Sequence, residues 1–182
     1  MHIVLFLGSL RKDSFNRKLL NNVLPMLEGH TTDVVDLKET VLPVFDGDLD
    51  GDKTPPETQR LAERVKRADA VIFVSPEYNY NIPGGLKNAV DWVSRSKERP
   101  LHDKPVMLTG ATQGPFGCVR LFIAMRQMLV FFNAFVIPHQ VGIPSAAKAF
   151  DEQGKLIDPK QVEMLQTAVH ELLHVTQALS KK

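Results

Sequence analysis

Cysteine, tryptophan and tyrosine are all scarce in this chain, and the shortage of cysteine excludes whole classes of protein. Cys118 is the single cysteine among 182 residues, which excludes an internal disulfide and a cysteine-rich zinc site. It also fits a reducing compartment. There is one tryptophan, and the only two tyrosines, Tyr78 and Tyr80, stand one residue apart. The segment that holds both tyrosines is therefore unusual within this chain.

An excess of either charge is also missing. Lysine and arginine total 22 against 21 aspartate and glutamate, so we expect no basic surface for nucleic acid. The first apolar run covers residues 3–7 only, too short for a secretory signal or a membrane span. We therefore expect a cytoplasmic protein with no nucleic-acid or membrane partner. The length and 43% hydrophobic content suit one domain, residues 1–182, with a full core.

Two kinds of apolar segment alternate along the chain. Short continuous runs predict strands, and apolar residues at helical spacing predict helices. The predicted strands are 2–7, 32–37, 70–74, 105–108 and 134–137, and the predicted helices are 14–27, 57–68, 86–94, 119–132 and 159–179. Residues 41–56 and 138–155 are predicted as long loops. The alternation predicts an α/β fold with a doubly wound parallel sheet, and five strands fit the flavodoxin-like order 2-1-3-4-5.

Three loops of unusual composition follow strands of the predicted sheet. They are residues 8–16, 75–85 and 109–117. In an open parallel sheet the ligand lies beyond the carboxyl ends of the strands, where the strand order reverses. Strands 1 and 3 flank that point in the predicted order, so all three loops are expected to meet around one ligand.

The first loop, residues 8–16, joins a buried strand to a helix, an arrangement that points backbone N–H groups at an anion. Arg11 adds a planar cation suited to a phosphate, and Ser9, Ser14 and Asn16 add short polar side chains. It is neither a dinucleotide-binding G-x-G-x-x-G sequence nor a P-loop. A plain capped turn is the alternative interpretation.

The other two loops have features suited to a flat ligand. Residues 75–85 contain both tyrosines with several amides and prolines, and rings can lie against a planar heterocycle. Residues 109–117 bring small side chains that could hold a ring face or a ribityl hydroxyl. A surface loop with packed tyrosines and a tight turn into the next helix are the respective alternatives.

Motifs in these loops are similar to those of the NAD(P)H-dependent FMN reductase family, which includes bacterial chromate reductases, quinone reductases and azoreductases. The matching residues are Gly8-Ser9-x-Arg11-x-x-Ser14-x-Asn16, Pro76-Glu77-Tyr78-Asn79 and Pro83-Gly84-x-Leu86-Lys87-Asn88-Ala89-x-Asp91-Trp92. The resemblance covers essentially the whole chain and implies one FMN per chain. It implies that Ser9, Arg11, Ser14, Phe15 and Asn16 hold the phosphate, that Pro76, Glu77, Tyr78 and Asn79 line the isoalloxazine, and that Thr112 lies near the flavin.

The same resemblance implies a ping-pong reaction. Hydride passes from NADH or NADPH to flavin N5, and the flavin then reduces quinones, azo compounds, chromate, ferric complexes or free flavin. No protein acid, base or nucleophile is implied. Family members are homodimers or homotetramers with the flavin near the interface, so Tyr80 and Arg95 are candidate substrate or interface residues.

Two other functions are compatible with the fold. A flavodoxin-type electron carrier would bind FMN and be reduced by a partner protein, but Arg11 and a sequence pI of about 7.9 are unlike the acidic flavodoxins. A regulatory protein that keeps the fold without flavin is the third possibility. Reduction by NADH or NADPH alone distinguishes the enzyme from the carrier, and a colourless preparation indicates the regulatory protein.

Two patterns resemble metal sites, and we predict that neither is one. Asp46 to Glu57 has the spacing of an EF-hand calcium loop, but no helix precedes it and Pro55-Pro56 interrupts it, so a solvated acidic loop is expected. His170-Glu171-Leu172-Leu173-His174 matches the zinc-protease motif H-E-x-x-H. Both histidines fall opposite the apolar face of the last helix, so they are expected to face water.

Cys118 and a group of phenylalanines have structural and functional interpretations. A cysteine near a helix start is either a reactive thiol or a small packed hydrophobic residue, and we predict the second. Phe122, Phe131, Phe132 and Phe135 are predicted to belong to the core or to a dimer contact rather than to a cofactor pocket.

Overall fold

The computed structural model describes residues 1–180, so the last two residues of the predicted domain, 181 and 182, lie outside the described ones. Five strands and five α-helices alternate as β1 (His2–Leu7), α1 (Phe15–Val23), β2 (Thr31–Asp36), α2 (Pro56–Arg67), β3 (Ala70–Val74), α3 (Gly84–Ser94), β4 (Pro105–Ala111), α4 (Val119–Phe131), β5 (Phe135–Ile143) and α5 (Pro159–Leu179). The strands form one parallel sheet in the order β2-β1-β3-β4-β5. The predicted fold class and strand order are confirmed.

Helices cover both faces of the sheet. Alternate β1 residues such as Leu5 pack with α1 and α5, whereas the intervening residues such as Phe6 pack with α2, α3 and α4. All of β3 and all but the first residue of β1 are buried, which explains their continuous apolar sequences. The two central strands therefore hold the loops that follow them in fixed positions at one edge of the sheet.

Two strands are longer than the apolar runs that predict them. β4 extends to Ala111 instead of Leu108, and β5 extends to Ile143 instead of Ile137. The predicted end of β5 is wrong because Pro138 is tolerated: β5 is an edge strand, where a missing N–H costs little. Polar and small residues continue both strands, so hydrophobicity alone marked their ends too early.

A bulge interrupts the pairing of β4 with β5, and Arg126 of α4 compensates for it. Val106 pairs with Val136 and Leu108 with Gln140, so three residues of β5 lie opposite one of β4. The Arg126 guanidinium donates to the carbonyls of Ile137 at 2.6 Å and Pro138 at 2.9 Å. Its remaining bonds go to the Val136 carbonyl and the Gln140 side chain. A side chain thus replaces hydrogen bonds that the bulge removes from the ladder.

Proline also shortens the first helix. The predicted helix reaches Leu27, but α1 ends at Val23 and Leu24–Leu27 form a 3₁₀ turn. Pro25 has no N–H to donate within the helix, so the α-helical pattern cannot continue through it.

The acidic loop, residues 41–55, is fastened to α3. The Pro43 carbonyl accepts hydrogen bonds from Trp92 Nε1 at 2.8 Å and Asn88 Nδ2 at 2.9 Å, and the Phe45 N–H donates to Asn88 Oδ1. Within the loop, Gly47–Leu49 and Gly51–Lys53 form two 3₁₀ turns. The loop is therefore ordered by its own bonds and by two α3 side chains.

The last helix buries one face and exposes the histidine motif. His170 and His174 are exposed, as predicted, while Leu165, Val169 and Leu172 are buried against the sheet. Glu171 is bound instead to His139 of β5, whose Nδ1 lies 2.6 Å from the carboxylate. Across residues 1–180 there is no group of three or more His, Cys, Asp or Glu side chains arranged to hold a metal ion. In the same residues, no helix has the length and apolar character needed to cross a membrane.

Candidate active site at the carboxyl edge of the sheet

The first loop has a run of backbone donors that lack acceptors. The Gly8 N–H donates to the Val74 carbonyl at 2.9 Å, and the Arg17 N–H donates to Ser14 Oγ at 3.0 Å. Between them, the described structure gives the N–H groups of residues 9–16 no hydrogen-bond acceptor. These groups lie at the N-terminus of α1, where the helix dipole favours an anion. We name residues 9–16 the anion cradle.

Two arginines lie near the anion cradle, and only one is paired with a carboxylate. Arg17 forms an ion pair with Asp36 at the end of β2. Arg11 is exposed and has no ion pair within residues 1–180. The predicted phosphate ligand is therefore the arginine that is available to bind one.

Glycine allows the first and second loops to touch. A Cβ added at Gly8 would lie 2.6 Å from Ser75 Oγ, closer than any real Cβ contact. A Cβ added at Gly110 would lie 2.1 Å from the Ser75 carbonyl oxygen. The first and third loops thus both contact Ser75, the first residue of the second loop: Gly8 at its side chain and Gly110 at its backbone. These contacts bring the predicted site segments together.

Asn16 uses its side chain to join two elements. Its Nδ2 donates to the Ala111 carbonyl at 2.9 Å, and its Oδ1 accepts from the Ala111 N–H at 2.9 Å. Oδ1 and one Nδ2 hydrogen are thereby used at the end of β4. The backbone N–H of Asn16 has no acceptor in the described structure and is the group that we assign to the anion cradle.

Glu77 caps the start of α4. Its Oε2 accepts from the backbone N–H groups of Arg120 at 3.0 Å and Leu121 at 3.1 Å. Cys118, which precedes the helix, has a left-handed backbone conformation with φ 62°, and its side chain does not cap the helix. The Glu77 carboxylate of the second loop caps it instead. One oxygen of the Glu77 carboxylate is thus bound to the start of α4. The backbone of Glu77 remains available to a ligand.

The tyrosines are displayed by a tight turn. Tyr78 and Asn81 exchange two backbone hydrogen bonds, of 3.1 and 2.9 Å. Asn79 and Tyr80 between them have positive φ of 49° and 62°, the pattern of a type I′ turn. A left-handed tyrosine is uncommon and strained. The turn projects both tyrosine rings outward, and 67% of Tyr80 is exposed.

A cleft of about 570 Å³ separates the second loop from the third. Its lining residues are Glu77, Asn79, Tyr80, Thr112, Gly114, Pro115, Phe116 and Arg120. Glu77, Asn79, Thr112 and Tyr80 are among the predicted site residues, whereas Phe116 and Arg120 were missed. A cation in the first turn of a helix interacts unfavourably with the helix dipole. The position of Arg120 in the first turn of α4 was therefore the sign in the sequence that this residue has another role.

Arg95 lies at the opposite end of the molecule from this cleft. It follows α3, whose eleven residues run about 16 Å away from the second loop. Its Nε donates to Asp50 Oδ2 at 2.6 Å, and this bond lowers the pKa of the Asp50 carboxyl. Within one protomer the structure therefore does not bring Arg95 to the predicted site.

Cys118 is packed, as predicted. It is 1% exposed, and its Sγ lies 3.9 Å from the Ser75 carbonyl oxygen. Burial raises the pKa of this thiol to about 12. The reactive thiolate is therefore disfavoured near neutral pH.

The phenylalanines divide between core and surface. Phe122 is buried, whereas 80% of Phe131 and nearly half of Phe135 are exposed. Phe132 is half-buried and meets Phe131 edge to face, with ring centroids 5.3 Å apart. None of these four residues lines the cleft.

A parallel sheet of order 2-1-3-4-5 with an anion cradle beside its switch point defines a flavodoxin-like nucleotide-binding protein. Comparison with known proteins narrows this class. The sequence model of the family described as NADPH-dependent FMN reductase matches residues 1–148. The chain belongs to that family, and the resemblance drawn from its motifs is confirmed.

Individual relatives match over almost the whole length. A Pseudomonas aeruginosa protein named NAD(P)H-dependent FMN reductase is 38% identical over 167 residues, 91% of this chain and 89% of that one. An Escherichia coli protein named quinone reductase is 38% identical over 169 residues, with the same shares covered. The solved structure of FerB, a flavoenzyme NAD(P)H:(acceptor) oxidoreductase from Paracoccus denitrificans, superimposes with a TM-score of 0.85 at 28% identity, covering 97% of each chain.

Proposed function

We propose that this chain is an FMN-dependent NAD(P)H oxidoreductase that reduces quinones. The observation that carries the proposal is the anion cradle, with consecutive backbone donors and the exposed Arg11 at the switch point of the sheet. The names of the relatives, FMN reductase, quinone reductase and NAD(P)H:(acceptor) oxidoreductase, support the same chemistry. The whole chain, 1–182, serves as one FMN-binding domain.

The residues present fit FMN, and each has a distinct part. Backbone N–H groups of Ser9, Ser14, Phe15 and Asn16, with the Arg11 guanidinium, hold the phosphate. The backbone from Pro76 to Asn79, the Tyr78 ring and the Thr112 hydroxyl line the planar ring. Bound FMN supplies hydride transfer at N5, so the protein needs to bind, orient and shield but not to move a proton itself.

The acceptor range follows from the openness of the cleft. A surface cleft bordered by exposed aromatic rings admits planar molecules of several sizes. Quinones come first because the E. coli relative is named quinone reductase. Azo compounds, chromate, ferric complexes and free flavin are further acceptors for the same site.

Anaerobic reduction tests this function against the electron-carrier alternative. The purified protein is loaded with FMN and mixed with NADH or NADPH alone, in the absence of oxygen. Loss of the flavin absorbance within one turnover time, followed by its return when a quinone is added, is the expected result. A protein that holds FMN but stays oxidised until a partner reductase is added would be a carrier, and one that binds no FMN would overturn the proposal.

We propose in addition a cytoplasmic homodimer or homotetramer. Ile123, Val130 and Phe131 are all more than 60% exposed, and Ile123 lies seven residues before Val130 on α4. An exposed apolar stripe on a helix is typical of a protein contact. Sedimentation of the wild type and of Ile123→Glu tests it: the variant is expected to sediment as a smaller species, and an unchanged mass would exclude this face as the contact.

A further inference from the structure

Arg120 lies against two aromatic rings at the rim of the cleft. Its guanidinium carbon lies 3.9 Å from the centroid of the Tyr80 ring and 4.7 Å from that of the Phe116 ring. These rings belong to different loops, and 67% of Tyr80 and 61% of Phe116 are exposed. The stack therefore crosses the mouth of the cleft from the second loop to the third.

Stacking covers the flat faces of a guanidinium and leaves its edge available. A guanidinium donates hydrogen bonds in its own plane, not from its faces. The described structure gives the Arg120 side chain no hydrogen bond, and 35% of the side chain is exposed. The guanidinium thus contacts two rings and keeps N–H groups without an acceptor at the cleft.

The nearby carboxylate does not neutralise Arg120 fully. Glu77 Oε1 lies 3.8 Å from Arg120 Nη1, beyond hydrogen-bond distance. The other oxygen, Oε2, accepts two backbone N–H groups of α4. Because the charge of Glu77 is shared with the start of that helix, the guanidinium keeps attraction for a second anion.

We propose that Arg120 is a specificity-determining residue that recognises an anionic group on the molecule exchanging electrons at this cleft. The group is a sulfonate, carboxylate or phosphate, and it receives in-plane N–H bonds from the guanidinium held by Tyr80 and Phe116. This inference rests on the proposed function, because it needs a substrate seated in the cleft. Two sources carry such a group: an anionic quinone, or NADPH through the phosphate that NADH lacks.

Matched substrates distinguish the two sources. In a ping-pong reaction, kcat/KM for the acceptor reports only its own half-reaction, and kcat/KM for the nicotinamide reports the other. The first arm compares 1,2-naphthoquinone-4-sulfonate with uncharged 1,2-naphthoquinone. The second arm compares NADPH with NADH, which differ by one phosphate group. Both arms use the FMN-loaded enzyme and the variants Arg120→Gln and Arg120→Lys.

The readout is the ratio of kcat/KM values within each pair, whichever way the absolute rates move. Arg120→Gln keeps a planar side chain without the charge. In one arm we expect it to lower about tenfold the ratio of kcat/KM for the more anionic substrate to kcat/KM for its matched partner, as for a partly exposed charged hydrogen bond. Arg120→Lys keeps the charge without the planar edge and is expected to retain part of the preference. In the wild type, added salt is expected to reduce the preference.

Arg67→Gln is the control, because it makes the same charge change at the exposed C-terminal end of α2. Its ratios are expected to match the wild type in both arms. A fall confined to the quinone pair assigns the anion to the acceptor, and a fall confined to the nucleotide pair assigns it to the nicotinamide co-substrate. Unchanged ratios in both arms of Arg120→Gln overturn the inference. A wild type that reduces no quinone at all counts against the proposed function instead.

Discussion

The anion cradle and the acidic loop look alike in sequence and differ in how their polar atoms are used. Both are polar loops that follow a strand. The acidic loop has the spacing of an EF-hand calcium loop, and the anion cradle carries most of the motif Gly8-Ser9-x-Arg11-x-x-Ser14-x-Asn16. In the acidic loop, Asp46 accepts from the Asp48 N–H, and Asp50 accepts from the Gly51 N–H and from Arg95. In the anion cradle, the N–H groups have no acceptor within the described residues.

This contrast shows that the hydrogen bonds already present in a loop decide whether its polar atoms are available to an ion. A carboxylate that already caps a turn has fewer lone pairs for a cation, and its charge is balanced locally. Backbone donors that converge at a helix start without acceptors favour an anion from outside the chain. The spacing of residues in a motif does not show which polar atoms are already hydrogen-bonded. Spacing alone therefore could not distinguish the two loops.

The largest expected effect is that of replacing Asn16, whose side chain joins the anion cradle to the end of β4. Asn16→Leu leaves the Ala111 N–H and carbonyl without their partners, so we expect the free energy of unfolding to fall by about 3 kcal/mol. Urea denaturation of the FMN-free protein measures it. Asn16→Asp keeps an acceptor for the Ala111 N–H, so its free energy of unfolding should lie between those of the wild type and of Asn16→Leu. A stable Asn16→Leu protein would show that the amide does not join α1 to β4.

Arg11→Ala tests the anion cradle itself. Loss of a charged hydrogen bond to phosphate is expected to weaken FMN binding about 10- to 100-fold, while turnover of the FMN-saturated enzyme slows far less. Flavin fluorescence titration measures the affinity, with the exposed neighbour change Lys12→Ala as a control expected to have a smaller effect. A saturated variant that is slow at unchanged FMN affinity would contradict the cradle.

Trp92→Phe probes the fastening of the acidic loop. It removes the bond from Nε1 to the Pro43 carbonyl but keeps an aromatic ring beside Phe45, whose centroid lies 5.0 Å away. The free energy of unfolding should fall by about 1 kcal/mol, with FMN affinity unchanged. Circular dichroism in urea reports the first quantity and fluorescence titration the second. A large loss of FMN affinity would show that the two loops are coupled.

The smallest expected effect is that of calcium on the acidic loop. Because Asp46 and Asp50 already cap turns and Asp50 pairs with Arg95, millimolar calcium should shift the melting temperature by less than about 1 °C. Thermal melts with and without the cation, with magnesium as a second arm, measure it. A rise of several degrees with calcium alone would show that the loop has a cation site after all.

Sequence reasoning reached the features that depend on local pattern. The buried runs of β1 and β3 and the exposure of His170 follow from hydrophobic periodicity. The strand order follows from the alternation of five strands with helices, which fits the flavodoxin-like order. The polar continuation of β5 past Pro138 was missed, because edge pairing does not require an apolar sequence.

Contacts between side chains of loops far apart in the chain could not be predicted from sequence patterns. The capping of α4 by Glu77 and the stacking of Arg120 on Tyr80 join residues about forty positions apart, through a turn geometry that no motif records. Arg95 is predicted as a substrate or interface residue. The direction of α3 carries it away from the cleft of its own protomer, to where Asp50 binds it, and its role at an interface stays a prediction. The sequence therefore located the loops better than it assigned their side chains.

The bond network of Arg126 also bears on self-association through the sheet. An exposed edge strand invites pairing with another chain, which leads to aggregation. On β5, Pro138 offers no N–H, the bulge disturbs the spacing of donors and acceptors, and Arg126 occupies the carbonyls of Ile137 and Pro138. A sixth strand would find no N–H at Pro138 and no regular spacing of donors and acceptors at this point. The edge is thus protected from sheet extension without a covering helix.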